Sequence, residues 1–228
     1  MCPTALMGTL GAQITNIMNY QELKEKQFSY AYGAALHDAV NQQAFQGKEI
    51  PLRKNKEAQI IVKEYIDDIL MGNEPCLYEA AGNIEASFKQ FIEVHCDEII
   101  SSKKDGSGKP ITPKFRFGNA QKLINMTVKN MYLLAYTDEN LRIKFRKCHC
   151  PMDNRIIGVM KNALKKLMDN GNPKAAGLLD QWKACGSTAW SRIESSDIRK
   201  YDKFQEIIRF LAEMDGISPI EYDYKMWE

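Results

Sequence analysis

Two short stretches carry the residue types from which chemistry could be built. Gly118-Asn119-Ala120-Gln121-Lys122 places a lysine directly behind a glycine-containing turn signal and at the start of a long apolar-periodic segment. Cys148-His149-Cys150-Pro151-Met152-Asp153-Asn154-Arg155 places a carboxylate behind a proline, where a helix is expected to begin. An amine at the edge of a mostly buried helix loses hydration and becomes a better nucleophile at neutral pH. A carboxylate at a nearby helix start can stabilise a developing cation or act through water. The ordinary alternatives are a lysine that reaches water along its stem and an aspartate that serves the helix dipole.

Other chemistries find less support. Cys148, His149 and Cys150 offer three soft ligands, but no fourth stands at a zinc-site spacing, and the remaining cysteines (2, 76, 96 and 185) are scattered. Neither a zinc nor an iron–sulfur site is expected, and the cysteines read as reduced thiols. No phosphate-binding loop, dinucleotide fingerprint, nucleophile elbow or zinc-protease helix is present. With three histidines in the whole chain, a serine triad has few bases to draw on. No cofactor is predicted. His37 and the His95-Cys96-Asp97-Glu98 run read as surface or core residues, because adjacent positions on a helix point in different directions.

These stretches must be positioned by helices. Apolar residues make up 44% of the 228 and charged residues 26%, the balance of a globular protein with a full-sized core. No apolar run reaches the length of a membrane span, and the first residues lack a signal peptide's positive region, so a cytoplasmic protein without a membrane partner is expected. Helical periodicity is read over 20–44, 56–71, 82–100, 119–136, 151–168 and a C-terminal group of segments. Residues 1–19 are weakly patterned, and Leu141 to Phe145 reads as a short strand or loop. Inward residues include Phe28, Tyr32, Ala35, Ile60, Tyr65, Ile84, Phe88, Ile124, Val128, Ile156, Met160, Phe204 and Ile208. The predicted class is all-α. The chain forms one compact domain, either undivided or parted into two lobes near the 101–113 loop.

Within the segment after Asn119, Ile124, Val128, Met131 and Ala135 form one stripe. Lys122, Asn125, Lys129 and Tyr132 form the opposite one. Net charge is only +2, but bases outnumber acids from Lys109 to Lys147, whereas 64–98 is acid-rich. A local basic surface of that kind suits phosphate contacts.

The first stretch resembles the hairpin end of the helix-hairpin-helix DNA glycosylases, where Gly-x-Gly-x-Lys leads into a buried helix. Cys150-Pro151-Met152-Asp153 is similar to the Val-Pro-x-Asp that places the family's essential aspartate. Ala120 stands where the family has its second glycine, and the long interval between lysine and aspartate resembles the divergent archaeal 8-oxoguanine DNA glycosylases. The resemblance covers about 40 residues. It implies a two-lobed helical fold with a helix-hairpin-helix-like element and a monomer acting on double-stranded DNA. A damaged or modified base would be flipped into a pocket. Carried over, Lys122 is the amine that attacks C1′ and Asp153 the catalytic carboxylate. The backbone of Phe117, Gly118, Asn119 and Ala120 would hold phosphate. Gln121, Asn125, Lys129, Tyr132, His149 and Arg155 are the further candidates for DNA or base contact, and an AP-lyase step follows if a Schiff base forms. Trp182, Trp190, Tyr222 and Trp227 are candidates for a stacking ring or for core. Oxidised guanine in DNA repair and a hypermodified viral base in antiviral defence are the two substrate expectations. Two rivals stand beside the enzyme. One is a nucleic-acid binder without chemistry, and the other is an interaction or defence-associated helical protein in which Lys122 and Asp153 form a plain salt bridge.

Overall fold

A computed structural model describes residues 20–40, 45, 48–99, 106–109, 113–135 and 137–226. They form eleven α-helices and no strand, as the periodicity predicts. In chain order these are α1 (Tyr20–Val40), α2 (Glu49–Leu52), α3 (Lys56–Met71), α4 (Leu77–Val94), α5 (Cys96–Ile99) and α6 (Phe117–Leu134). Then follow α7 (Glu139–Phe145), α8 (Asn154–Asp169), α9 (Pro173–Ala184), α10 (Arg199–Met214) and α11 (Pro219–Lys225). A 3-10 turn, Trp190–Arg192, lies between α9 and α10. No helix among the described residues is long and apolar enough to cross a membrane.

Helix α6 is the axis of the molecule. It packs along α1, crosses α4 and rests its first turn on the Trp190–Arg192 turn. Every residue from Phe117 to Lys129 is buried, so both the apolar stripe and the polar stripe face protein. Around it, α3 pairs with α4, α8 with α9, and α10 closes on α8, α9 and α11. The buried apolar side chains form one cluster running from Phe28 in α1 to Tyr222 in α11, with members on both sides of 101–113.

The caps follow side-chain chemistry. Asn55, Asp138, Asp153, Asn172 and Ser218 each accept a hydrogen bond from a backbone N–H in the first turn of the helix they precede. Gly72 ends α3 at φ 90°, a conformation that favours a residue without Cβ.

Several boundaries differ from the sequence expectation. Leu141 to Phe145 is helical, because Asp138 caps a short helix there. Helix α4 starts at Leu77, six positions before Asn83, although its cap residue Cys76 supplies no side-chain bond. The continuation to Ile100 breaks at His95, leaving α5 as a separate turn. Pro151 precedes α8 rather than opening it, and Asp153 is the cap rather than a first-turn residue. Ile60, expected inside, is 55% exposed. The first segment ends at Val40 among described residues. The expectations for 1–19, for parts of the 101–113 loop and for Trp227 fall outside them.

Candidate active site

The chain enters α6 through Arg116, whose backbone is extended, and Asn119 fastens this entry. Its Oδ1 accepts from the Arg116 N–H at 3.1 Å and its Nδ2 donates to the Ala39 carbonyl at 2.8 Å. Gly118 lies in the first turn of α6, not in a hairpin. A Cβ built there would stand 1.8 Å from the Trp190 carbonyl oxygen, and its N–H donates to the Ile193 carbonyl at 3.0 Å. The glycine is therefore required by the close approach of another segment of the protein. Gly118, Asn119, Ala120 and Gln121 are all buried, so the phosphate-facing hairpin implied by the resemblance is absent at this place.

Gln121 acts as a clamp. Its Nε2 donates to the carbonyls of Gly118 (2.9 Å) and Met152 (3.2 Å), and its Oε1 accepts from the Met152 N–H at 3.4 Å. Both backbone groups of the residue before Asp153 are thus tied to α6. Asp153 itself is extended (φ −145°, ψ 175°) and uses Oδ1 to accept from the Ile156 N–H at 2.9 Å. Its other oxygen faces Lys122. Lys122 Nζ lies 3.5 Å from Asp153 Oδ2, with 10% and 16% of the two side chains exposed. The same ammonium sits 4.8 Å from the centre of the Trp190 ring, which is 1% exposed and whose indole N–H has no hydrogen-bond partner. The fold brings together the lysine and the aspartate singled out by type, from positions 31 apart in sequence.

A buried polar chain extends from the clamp. Because Gln121's orientation is set by Met152 and Gly118, its Oε1 must face a donor on Asn125, whose Nδ2 lies 3.1 Å away. That Nδ2 also donates to the Tyr201 hydroxyl at 3.0 Å. The same hydroxyl lies 2.9 Å from His149 Nδ1. Burial, reinforced by the charge of Arg209, pushes the His149 pKa down to about 4, and burial pushes the Tyr201 hydroxyl well above its ordinary value. His149 is therefore neutral at pH 7 and packs among Tyr78 and Tyr201.

The rest of the polar stripe is covered by α11. Lys129 forms an ion pair with Asp223 and lies 4.7 Å from the Tyr224 ring centre, while the Tyr224 hydroxyl donates to the Lys129 carbonyl at 2.7 Å. The Tyr132 hydroxyl donates to Glu221 and accepts from Arg142. Lys129 and Tyr132, expected at a DNA contact, are buried inside the protein. Arg155 remains exposed and donates to the Met226 carbonyl at 3.1 Å. Trp182 and Tyr222 join Trp190 in the core.

Two of the described cavities lie elsewhere. One of 580 Å³ opens between α1, α3, α7 and the end of α6, and one of 290 Å³ runs beside the start of α4 and reaches His149. Neither is lined by Lys122 or Asp153. Among the described residues no group of three or more metal-ligating side chains could hold an ion. Trp190, Tyr201 and Asp223 are the site-shaping residues that sequence reasoning passed over or placed in the core, since nothing local marks their long-range partners. Comparison with protein-family models, curated proteins and solved structures found no match to this chain.

Proposed function

We propose that this protein is a DNA glycosylase with an associated lyase step, with Lys122 as the amine nucleophile and Asp153 as the catalytic carboxylate. The observation that carries this reading is the 3.5 Å approach of Lys122 Nζ to Asp153 Oδ2, at a helix start, with 10% and 16% of the two side chains exposed. The division of labour on Asp153 supports it. Oδ1 is occupied by the α8 cap, so Oδ2 remains to accept a proton from the Lys122 ammonium. The freed amine attacks C1′ of an extruded nucleotide, and the N-glycosidic bond breaks with its electrons leaving on the base. The proton taken by Asp153 passes to the departing base, and the regenerated carboxylate offsets the positive charge that develops on the sugar. Opening of the sugar ring between C1′ and its oxygen then gives a Schiff base. Loss of a C2′ proton from it breaks the 3′ carbon–oxygen bond by β-elimination. Gln121, by holding Met152 on both sides, fixes the approach of Asp153 to Lys122.

A second reading is a nucleic-acid-binding protein in which the pair is only a salt bridge. It is favoured by one observation, that none of the described cavities includes either residue in its lining. Borohydride trapping separates the two. Duplexes carrying an abasic site, oxidised guanine or a panel of modified bases are incubated with the wild type, Lys122→Gln and Asp153→Asn. An adduct that vanishes in Lys122→Gln is the expected result. Base release without any adduct restricts the chemistry to Asp153, and the absence of both adduct and release leaves the binding reading.

A further inference from the structure

Helix α8, the element that begins behind Asp153, has an unusual division of charge. Its apolar side (Ile156, Met160, Leu164) is fully buried. Its outer side carries Arg155, Lys161, Lys165 and Lys166, and no acidic residue occurs before Asp169. Two other long helices with an exposed face mix signs. In α3, Lys63 is paired with Asp67, and in α10, Lys203 is paired with Glu206. Lys161, Lys165 and Lys166 are exposed, and no ion pair to them occurs among the described residues. Positive charge here is dense enough to be felt inside. Lys200, whose ammonium donates to the carbonyls of Gly186 and Thr188, has its pKa lowered by burial and then by Lys161.

The same outer face contains Gly158, which lies one turn before Lys161 and Asn162 on the helix surface. An exposed mid-helix glycine disfavours the helix relative to alanine. No close packing among the described residues demands it, because a Cβ built at Gly158 meets none of their atoms within 4 Å. A bare stretch of backbone between cations suits the close approach of a partner.

We propose that the exposed face of α8, with Lys161, Lys165 and Lys166 following Gly158 along the helix, docks the phosphate backbone of duplex DNA. This rests on the nucleic-acid side of the function proposed above and not on its chemistry. A straight helix of this length runs about 24 Å, at about 1.5 Å per residue, and presents its cations as a line, which suits a regularly charged polymer better than an isolated phosphate. A membrane surface favours an apolar outer face, and α8 exposes only Met168 there beside its cations while Ile156, Met160 and Leu164 go to the core.

The test measures binding of an unmodified duplex by fluorescence anisotropy between about 50 and 200 mM salt. The variant Lys161→Gln/Lys165→Gln/Lys166→Gln is compared with Lys26→Gln/Lys56→Gln/Lys89→Gln, which removes the same charge from exposed positions on α1, α3 and α4. Each lost phosphate contact flattens the slope of log K against log salt by about 0.9. The expected result is a slope shallower by about 2 to 3 for the α8 variant, with the control unchanged. Equal slopes in all three proteins, equal losses in both variants, or tighter binding to anionic vesicles than to duplex would each overturn the proposal. Gly158→Gln is expected to raise the melting temperature while weakening duplex binding; unchanged affinity in that variant removes the close-approach role of Gly158. Failure of the glycosylase reading shows separately, as absence of the borohydride adduct with the α8 slope effect intact.

Discussion

Helix α6 carries two lysine–aspartate pairs on one stripe, about two turns apart, and the molecule treats them differently. Lys129 and Asp223 have 7% and 2% of their side chains exposed, Asp223 is supplied by α11, and the Tyr224 ring flanks Lys129. Lys122 and Asp153 are 10% and 16% exposed and 3.5 Å apart, and Asp153 is shared with a helix cap. The enclosed pair joins α6 to α11. The Lys122–Asp153 pair is somewhat more exposed, and one oxygen of its carboxylate is already committed to the α8 cap. Residue type alone does not distinguish them, and the elements that cover them do.

The comparison breaks most visibly if the enclosed pair is cut. Asp223→Ala leaves a buried ammonium without its counter-ion, and the expected cost is about 3–5 kcal/mol. Lys122→Gln leaves Asp153 more exposed than Asp223 and still accepting from the Ile156 N–H, and is expected to cost less than Asp223→Ala. Urea unfolding of the two variants measures the difference directly. Lys129→Met/Asp223→Leu should recover most of the Asp223→Ala loss, because apolar side chains of similar size remove the desolvation cost along with the attraction. A loss in Lys122→Gln equal to that in Asp223→Ala would make both pairs structural.

A second contrast lies between the pairs, at Asn125 and the chain of hydrogen bonds leading to His149. The ordinary histidine pKa of 6.5 falls to about 4 in the folded protein. The unfolded chain therefore binds the extra proton first as pH drops. His149's contribution is fully present above pH 6.5 and is lost as pH falls from there towards 4. The urea midpoint of the wild type should decline across that window, and His149→Gln should flatten the decline in its upper part. Glu221 and Asp197 are each held near 2 and have ordinary values of 4.5 and 3.8, so they contribute mainly below that upper part. An unaltered pH profile in His149→Gln would remove the buried neutral imidazole from the account.

How much of this is legible in the sequence depends on the range of the interaction. The all-helical class follows from periodicity, and α3 is readable to both ends because Asn55 and Gly72 are local cap signals. Lys122 and Asp153 can be singled out because each stands at a helix start with its own local signature. Their meeting cannot be read from spacing, since it depends on Gln121 gripping Met152 across 31 positions. Gly118 is visible as a glycine before a helix, but its reason, the Trp190 carbonyl oxygen, lies far along the chain. Lys129 reads as an exposed-edge cation until α11 supplies Asp223 from near the other end of the described chain. Helix α7 escapes the periodicity because of its short length: seven residues give too few turns for the period to declare itself.

The finest test separates Asp153's two oxygens. Asp153→Asn retains an oxygen for the Ile156 N–H, and asparagine caps helices about as well as aspartate, so this variant keeps the cap and loses only the ion pair with Lys122. Asp153→Ala loses the cap as well and should cost about 1 kcal/mol more. If Oδ2 serves chemistry, both variants lose base release to the same extent although only one also loses the cap. If Asp153 matters only as a cap, activity follows stability, and Asp153→Asn behaves as the wild type. The two variants therefore divide a single side chain in the way that the two pairs divide α6. On the proposed reading one oxygen holds the fold and the other acts, and the melting temperature and the release rate report on them independently.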